Sequence, residues 1–133
     1  MRTPQDHTAD EAHSFSELKA IEQALQPYLA AAKSGDGESI RPAFFENAHI
    51  VGSIDGAFYD LDLDTFIGSV TSGGPNPKVE YHIASIQVSG PAASVRVEFA
   101  NWGEHRFTDF FVMYRQDGAW KIRSKVYNSH SRN

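Results

Sequence analysis

The sequence predicts a single α+β domain in which helices come first and a meander of long antiparallel strands follows. Apolar residues recur at three- and four-residue spacing in the first part of the chain and at every second residue in the last part. The segment Ser72–Pro77 between the two parts is rich in glycine, proline and polar residues, which is typical of a loop. Helices followed by strands in this order indicate an α+β fold rather than a parallel α/β fold.

The first helix is expected to begin at Ser14. Residues 1–13 are polar and acidic and predict a flexible N-terminal arm, so that the folded domain would span residues 14–130. Ser14 and Glu17 have the spacing of a capping box, and Gly35 is suited to end the helix. One apolar face repeats along it, formed by Leu18, Ile21, Leu25, Leu29 and Ala32.

The middle of the chain predicts two further helices separated by a hairpin. The first of these is expected from Glu38 to Glu46. Asp55-Gly56 lies between two apolar runs and predicts a type I′ turn, since that turn requires positive φ at both central positions. Asp62 is placed to cap the third helix, whose apolar residues are Phe66, Ile67 and Val70.

Four strands are expected after the loop, at residues 79–88, 93–102, 105–116 and 120–129. The strand at 105–116 is apolar on both faces, which indicates that both faces of the sheet are covered. We therefore expect helices on one face and a second subunit on the other.

Composition and charge exclude several classes of protein. The chain has 133 residues, no cysteine and a formal net charge of −5. Disulfides and thiolate chemistry are thereby excluded, and the charge is unfavourable for nucleic-acid binding. Residues 1–13 lack the apolar stretch of a secretory signal, and no apolar run approaches the ~18 residues of a membrane span. We expect a cytoplasmic protein without nucleic-acid or membrane partners.

No motif predicts a metal or a cofactor. Asp60-Leu-Asp62-Leu-Asp64 resembles the start of a calcium loop, but Thr65 and Thr71 stand where that loop requires Gly and Glu. The six histidines lack metal-binding spacing, and neither a nucleophile elbow nor a phosphate-cradling glycine loop is present.

Asp109 is a candidate acid–base residue. Phenylalanines flank it on both sides, so its carboxyl would be desolvated and its pKa raised, which suits a general acid or base. The alternative is a structural ion pair with the lysine-containing strand at 121–125. A two-residue hairpin at Asp117-Gly118 would place Asp109 opposite Val126, with Lys125 opposite Phe110 on the other face.

Several short motifs occur in a characteristic order. They are Tyr28 to Asp36, Phe44 to Ala48, Trp102-Gly103, Phe107-Thr108-Asp109, Asp117 to Ile122 and Lys125-Val126-Tyr127. From Ser14 onwards the chain resembles the nuclear-transport-factor-2-like superfamily, and within it most closely the subgroup named "putative lumazine-binding". The resemblance implies a cone of about three helices against a strongly curved mixed or antiparallel sheet. It also implies a homodimer formed through the sheet and a small molecule held in the cone.

The superfamily includes ketosteroid isomerase and SnoaL-type cyclases, so the resemblance bears on catalysis. The isomerase uses a tyrosine and a protonated aspartate as oxyanion donors and a second aspartate as base. Tyr28 matches the tyrosine, whereas Gly52 and Val112 occupy the positions of the base and of the second acid. Isomerase chemistry by that mechanism is therefore not expected.

The resemblance also implies which side chains face the pocket. They are Tyr28, Ile50, Gly52, Ile54, Val95, Val97, Phe99, Phe110, Val112 and Tyr114. In the last strand, apolarity favours Trp120 and Ile122 inside, whereas the resemblance favours Lys125 and Tyr127. A β-bulge near Ser124 would satisfy both, since one extra residue reverses the alternation.

The leading hypothesis is a dimeric protein that binds a small hydrophobic or aromatic ligand. The candidate ligand-binding residues are Tyr28, Phe99, Asn101, Trp102, Phe110, Val112, Tyr114, Lys125 and Tyr127. The alternative is an acid–base enzyme of isomerase, dehydratase or cyclase type acting on a hydrophobic carbonyl compound, with Tyr28 as donor and Asp109 or His49 as base. A third hypothesis is an association module whose cone is filled by its own side chains.

Overall fold

Three helices pack on one face of a curved six-stranded sheet in the computed structural model, which describes the backbone of residues 6–132 and the side chains of residues 15–130. The helices are α1 (Asp6–Ser34), a 3₁₀ helix (Gly37–Ala43) and α2 (Leu63–Gly73). The strands are β1 (Phe44–Ile54), β2 (Ala57–Asp62), β3 (Glu80–Ser89), β4 (Ala92–Trp102), β5 (His105–Gln116) and β6 (Ala119–Arg132). The sheet order is β2-β1-β6-β5-β4-β3, with β1 and β6 parallel and the other pairs antiparallel. The predicted α+β fold with a mixed sheet is confirmed.

Helix α1 begins earlier than the capping-box motif predicts. Its backbone is helical from Asp6, so the expected start at Ser14 is wrong. No glycine or proline interrupts residues 6–14, and Ala9, Glu11 and Ala12 favour the helix. Residues 1–5 of the predicted arm lie outside the described residues. Within residues 6–132, no helix is both long and apolar enough to cross a membrane.

The predicted second helix is shorter and tighter than expected. It is a 3₁₀ helix that ends at Ala43, and residues 44–46 belong to β1 instead. Pro42 cannot donate a backbone hydrogen bond, and Phe44 already has an extended backbone with φ −120° and ψ 149°. Pairing of Phe44 with Ile122 of β6 therefore replaces the last helical turn.

The hairpin and the cap that precede α2 are confirmed. Asp55 and Gly56 have φ values of 51° and 82°, as a type I′ turn requires. The side chain of Asp62 accepts a hydrogen bond of 2.8 Å from the backbone N–H of Thr65. This cap fixes the start of α2, whose buried residues are Leu63, Phe66, Ile67 and Val70.

A β-bulge in β6 confirms the prediction near Ser124. Met113 pairs with Ile122, but the next residue of β5, Val112, pairs with Ser124, so Arg123 is the extra residue. Because one extra residue reverses the alternation, Trp120 and Ile122 on one side of the bulge and Lys125 and Tyr127 on the other are all buried.

The bulge corrects the pairing that was expected for Asp109. Its partner is Tyr127 rather than Val126, and Lys125 pairs with Phe111 rather than Phe110. Asp109 and Lys125 consequently lie on the same face of the sheet, which the unbroken hairpin register excluded.

The inward facing expected for Phe110, Val112 and Tyr114 is wrong. Their exposed fractions are 51%, 55% and 47%, whereas Asp109, Phe111 and Met113 are buried. The buried β4 residues Val95, Val97 and Phe99 stand directly opposite Phe111, Asp109 and Phe107. Directly opposed residues of antiparallel strands share a face, so the inward facing of β4 requires the odd-numbered residues of β5 inside.

Candidate functional site

A cavity of about 520 Å³ lies between α2, the β1–β2 hairpin, the β4–β5 turn and β6. Most of its lining is aromatic or aliphatic. The lining residues are Ile54, Tyr59, Leu61, Thr65, Phe66, Ser69, Val70, Gly73, Asn76, Trp102, Gly103, His105, Phe107, Lys125 and Tyr127. This volume and this mainly apolar wall are typical of sites for small organic molecules.

Lys125 carries the one primary amine among the described residues that line the cavity. Its side chain is buried, and four aromatic rings surround the amine. The distances from Nζ to the ring centroids are 4.2 Å for Tyr127, 4.5 Å for Phe66, 5.5 Å for Tyr28 and 5.9 Å for Trp102. Aromatic faces at this range attract a cation.

Asp109 and Tyr28 form a second layer behind Lys125. The Tyr28 hydroxyl donates a hydrogen bond of 2.8 Å to Asp109 Oδ2, and the same oxygen lies 3.8 Å from Lys125 Nζ. Both Tyr28 and Asp109 are fully buried, and neither belongs to the cavity lining. Asp109 Oδ1 is buried and accepts no hydrogen bond from the described residues. A ligand in the cavity would therefore meet the amine and not the carboxyl or the phenol.

Burial shifts the protonation equilibria of all three groups. It raises the pKa of Asp109, against the opposing effects of Lys125 and of the Tyr28 hydrogen bond. It lowers the pKa of Lys125, which Asp109 opposes. Burial and then the Asp109 charge raise the pKa of Tyr28 well above its ordinary value, so Tyr28 remains a protonated donor. The pair is thus shifted towards a neutral amine and a neutral carboxylic acid.

The β4–β5 turn closes one side of the cavity with polar contacts. His105 Nε2 lies 3.1 Å from Asp55 Oδ1, and its Nδ1 lies 2.8 Å from the carbonyl oxygen of Gly103. The Gly103 N–H donates to Asn76 Oδ1 at 3.1 Å. These contacts tie the β1–β2 turn and the loop after α2 to the β4–β5 turn, which fixes the cavity wall.

The structure brings together some of the predicted site residues. Trp102, Lys125 and Tyr127 line the cavity, and Tyr28 lies beneath them beside Asp109. Phe99 is buried against the Trp102 ring, with centroids 5.0 Å apart, while Asn101 is not among the lining residues.

Four predicted site residues lie elsewhere. Phe110, Val112 and Tyr114 project from the opposite face of the sheet and do not contact the cavity. The side chain of His49 is 63% exposed and lies 3.8 Å from Asp60 on the surface. His49 is therefore not positioned to act as a base beside Tyr28.

Several lining residues were not singled out by the sequence patterns, among them Tyr59, Ser69, Asn76 and His105. The apolar periodicity of α2 identifies Phe66 and Val70 as inward-facing residues but cannot distinguish a filled core from a cavity wall. The signal that could have indicated the cavity is Ser69, a polar residue next to that apolar face.

Gly52 is required by the packing of Tyr127. A Cβ atom at this position would lie 2.5 Å from the Tyr127 ring. No φ in the left-handed region is involved, so the constraint is steric. The ring occupies the space that a side chain at position 52 would need, so no acidic side chain fits there.

The helices, the mixed sheet and the enclosed cavity define a nuclear-transport-factor-2-like domain. Residues 16–128 match the family described as "Putative lumazine-binding", and the chain belongs to this family.

Two solved structures are similar to this chain in fold and sequence, and one curated protein is similar to it in sequence. NTF2-like proteins of unknown function from Shewanella baltica OS155 and Methylobacillus flagellatus KT are 31% and 32% identical, with TM-scores of 0.83 and 0.82. The match to the Shewanella protein covers 88% of this chain and 96% of that protein. The match to the Methylobacillus protein covers 87% of this chain and 94% of that protein. A protein of Cladobotryum sp named "Aldolase FrzH" is 27% identical over 118 residues, which are 88% of this chain and 94% of that protein.

Proposed function

We propose that the chain is an enzyme that binds a hydrophobic carbonyl compound in the cavity and makes or breaks the carbon–carbon bond next to the carbonyl group. One observation carries the proposal: the Lys125 amine lies in an otherwise mainly apolar cavity, backed by the buried Asp109–Tyr28 pair. The similarity to a protein named as an aldolase supports this class of reaction.

The positions of the three groups are suited to acid–base work on a carbonyl. A cationic Lys125 can donate to the carbonyl oxygen and stabilise the negative charge that develops there when an adjacent carbon–carbon or carbon–hydrogen bond breaks. Asp109, 3.8 Å behind the amine, can exchange a proton with it. The mainly aromatic and aliphatic wall lowers the local polarity around Lys125, which strengthens both interactions.

A site that only binds an apolar ligand does not require a buried amine. Removing an ammonium and a carboxylate from water is costly, and perturbed ionisable groups beside a cavity are typical of catalytic sites. The buried amine and carboxyl therefore favour the enzyme over the binding protein. The volume of about 520 Å³ supports both of these hypotheses over a cone filled by its own side chains.

A homodimer formed through the sheet is part of the proposal. Phe110, Val112, Tyr114 and Val126 are 47–55% exposed on the face of β5 and β6 opposite the helices, and we call them the outer patch. Cross-strand pairing of Phe110 with Val126 makes this apolar surface continuous across two central strands. A second copy of the chain is a suitable cover because such a patch is self-complementary about a two-fold axis.

The enzyme proposal can be tested with a fluorogenic β-hydroxy ketone, the aldol adduct of acetone and a methoxynaphthaldehyde. Cleavage releases the fluorescent aldehyde, and binding is followed separately by thermal shift. We expect turnover by the wild type and by Val88→Ala, whose side chain lies on the edge strand β3, outside both the cavity lining and the outer patch. Lys125→Met should lose roughly 100-fold or more of the rate, the usual contribution of one positioned acid–base group.

Binding without turnover in the wild type would contradict the enzyme proposal and favour a binding protein. Absence of any thermal shift with this ketone or with its aldehyde product would contradict the proposed ligand class as well. Equal rates for the wild type and a folded Lys125→Met would exclude Lys125 from the reaction.

A further inference from the structure

We infer that Lys125 acts as a nucleophile and forms a covalent imine with the carbonyl group of the ligand. This inference rests on the proposed function, because it requires a carbonyl compound in the cavity. It goes further in assigning a bond between the chain and its substrate. Lys125 is then a catalytic residue, whereas Asp109 and Tyr28 are positioning residues that act through it.

Access to the amine is the first argument. Lys125 lines the cavity, and its Nζ lies 4.2–5.9 Å from the ring centroids of three other lining residues, Phe66, Trp102 and Tyr127. Asp109 and Tyr28 are fully buried and do not belong to the lining. A carbonyl carbon in the cavity can therefore approach the nitrogen of Lys125 but not the oxygens behind it. Asp109 could act directly on the substrate as a general acid or base only if its carboxyl were exposed to the cavity, and it is buried behind Lys125.

The local chemistry allows the amine to become a nucleophile. An ammonium has no free electron pair, so Lys125 must first release a proton. Asp109 Oδ2 lies 3.8 Å from Nζ, and Oδ1 of the same carboxyl accepts no hydrogen bond from the described residues, so a buried carboxyl is available to take up that proton. The Tyr28 hydroxyl donates to the same Oδ2 at 2.8 Å, which holds this oxygen beside Nζ.

The covalent steps balance without an oxidant or a reductant. The nitrogen electron pair of Lys125 attacks the carbonyl carbon, the C–N bond forms, and one N–H proton passes to the oxygen to give a carbinolamine. The proton that Asp109 had accepted returns through Nζ to this hydroxyl group, the C–O bond breaks, and the oxygen leaves as water, so that a protonated imine and the Asp109 carboxylate remain. The carbon next to it loses either a proton or the second carbonyl fragment, and the electron pair moves into the cationic imine to give an enamine. Reprotonation or attack on a second carbonyl compound restores the imine, and water then releases the product and the free amine.

The surroundings of Lys125 suit the cationic imine as well as the ammonium. Tyr127 and Phe66 present their rings at 4.2 Å and 4.5 Å from Nζ, and Asp109 supplies a counter-charge. An imine nitrogen formed at Nζ keeps these neighbours, and cation–π attraction requires only a positive charge over the ring. The same contacts that hold the resting amine thus stabilise the intermediate.

Reductive trapping tests the inference directly. The full chain is incubated near pH 7 with an equimolar amount of the methoxynaphthaldehyde and with cyanoborohydride, which reduces an imine to a stable amine. The adduct is then located by peptide mass spectrometry. The exposed lysines Lys19, Lys33 and Lys78 serve as internal references. We expect Lys125 to carry more label than the three references together, because it lines the cavity that holds the aldehyde and its lowered pKa leaves a larger neutral fraction at pH 7.

Two variants complete the test. Lys78→Arg, an exposed control, should leave the Lys125 adduct unchanged. Lys125→Arg keeps a cation but cannot form an imine, so it should lose both the adduct and the retro-aldol activity. If Lys125→Arg does not fold, the distribution of label in the wild type still decides the question.

The inference and the proposed function can fail separately. Retro-aldol turnover by the wild type, with label spread evenly over the exposed lysines, would overturn the imine and leave the enzyme in place. A folded Lys125→Arg that retains turnover would do the same. Failure of the aldehyde and of the ketone to bind at all would overturn the proposed function itself.

Discussion

Two groups that can carry opposite charges are buried side by side at Lys125 and Asp109, both less than 5% exposed. Transfer of such a pair from water is costly, and the Coulomb attraction at 3.8 Å offsets the cost only in part. Removing one partner would leave the other unpaired, so single substitutions mix the function of the pair with a loss of stability. A double substitution that removes both charges separates the two effects.

The pH dependence of stability follows from the directions of the two pKa shifts. The pKa of Asp109 is raised from 3.8 in the folded chain, so stability is lost as the pH rises from 3.8 through its folded value. The pKa of Lys125 is lowered from 10.5, so stability is lost as the pH falls from 10.5 through its folded value. Relative to Asp109→Asn/Lys125→Met, the wild type should be least stable at intermediate pH.

Chemical denaturation of both proteins between pH 4 and pH 10 measures this difference. Within each titration window the free energy of unfolding of the wild type should change by about 1.4 kcal/mol per pH unit relative to the double variant, one proton being linked. A pH-independent difference would show that the two groups titrate alike in the folded and unfolded chains.

A second prediction concerns the glycine behind Tyr127. Gly52→Ala would place a methyl group 2.5 Å from the Tyr127 ring, which packs in turn 4.2 Å from Lys125 Nζ. The methyl group would also lie 2.5 Å from the Tyr127 carbonyl oxygen, so both the ring and the strand must shift. We expect a loss of about 1–3 kcal/mol in the free energy of unfolding, as for other overpacked sites. The rate of turnover and the yield of the trapped imine should fall in the same variant, because Tyr127 lies 4.2 Å from Lys125 Nζ.

The matched control is Gly68→Ala in α2, where an added Cβ meets nothing within 4 Å. Alanine is the better helix former by about 1 kcal/mol, so this variant should be as stable as the wild type or more stable. Equal effects of the two substitutions on stability would contradict the steric role of Gly52.

The chemistry of the site residues was only partly predictable from their sequence neighbours. The phenylalanines around Asp109 indicate a desolvated carboxyl, and burial of Asp109 agrees with that. The same sequence also allowed an ion pair with the strand 121–125, and both descriptions hold because the partner, Lys125, is itself buried. Sequence spacing could not place Tyr28 beside this pair, since Tyr28 and Asp109 are separated by 81 positions.

At the scale of elements, the bulge at Arg123 sets which side chains of β6 face the helices. Before it Trp120 and Ile122 are buried, and after it Lys125 and Tyr127 are buried. An unbroken strand would expose one of these two pairs. The register of the last strand therefore determines whether Lys125 reaches the cavity.

Deletion of Arg123 should remove the bulge and reverse the alternation. Two large side chains would leave the core, and at about 1.5–3 kcal/mol for each, the free energy of unfolding should fall by at least about 3 kcal/mol. Denaturant unfolding gives this value, and trapping at Lys125 should disappear in whatever fraction remains folded.

Arg123→Ala is the control for that deletion. It keeps the extra residue and loses only the 2.6 Å bond from Arg123 to the Asn47 carbonyl, a contact of about 1 kcal/mol. Lys125 should still be trapped. If the deletion and Arg123→Ala had the same effect, the side chain rather than the bulge would be responsible.

Local signals predicted the elements well where a turn or a cap has specific chemistry. Asp55-Gly56 and Asp62 belong to this class, and each adopts the expected geometry. The start of α1 was missed because a capping box stabilises a helix start without forbidding the helix to extend before it. The facing of β5 was missed because both of its faces are apolar, so alternation could not choose between them.

At the scale of the whole molecule, the sheet has two apolar faces with different surroundings. One face meets the helices and the cavity, and the other carries the outer patch of Phe110, Val112, Tyr114 and Val126. The apolarity of both faces of β5 predicts two covered faces, and it was the family resemblance that placed Phe110, Val112 and Tyr114 on the wrong one. The two faces belong to the same pair of strands: the Phe111–Lys125 pair faces the helices, and the next pair, Phe110–Val126, faces the other way. Association through the outer patch would therefore brace the strands that hold Lys125 and Asp109.

Val112→Glu tests this association. Val112 is 55% exposed and stands opposite Ser94 and Ser124, so in a monomer the substitution should change stability by no more than about 0.5 kcal/mol. Across a two-fold interface it would bury two carboxylates near each other, and we expect the dimer to dissociate. Light scattering after size exclusion measures the mass of each protein over a range of concentrations.

Val88→Glu provides the control, since Val88 is 37% exposed but lies on the edge strand β3, away from the outer patch. It should leave the dimer intact. A wild type that is monomeric at all concentrations would contradict the interface outright. A dimer that survives Val112→Glu but not Val88→Glu would move the interface to the sheet edge, and the strands behind Lys125 would then be braced by α1, the 3₁₀ helix and α2 alone.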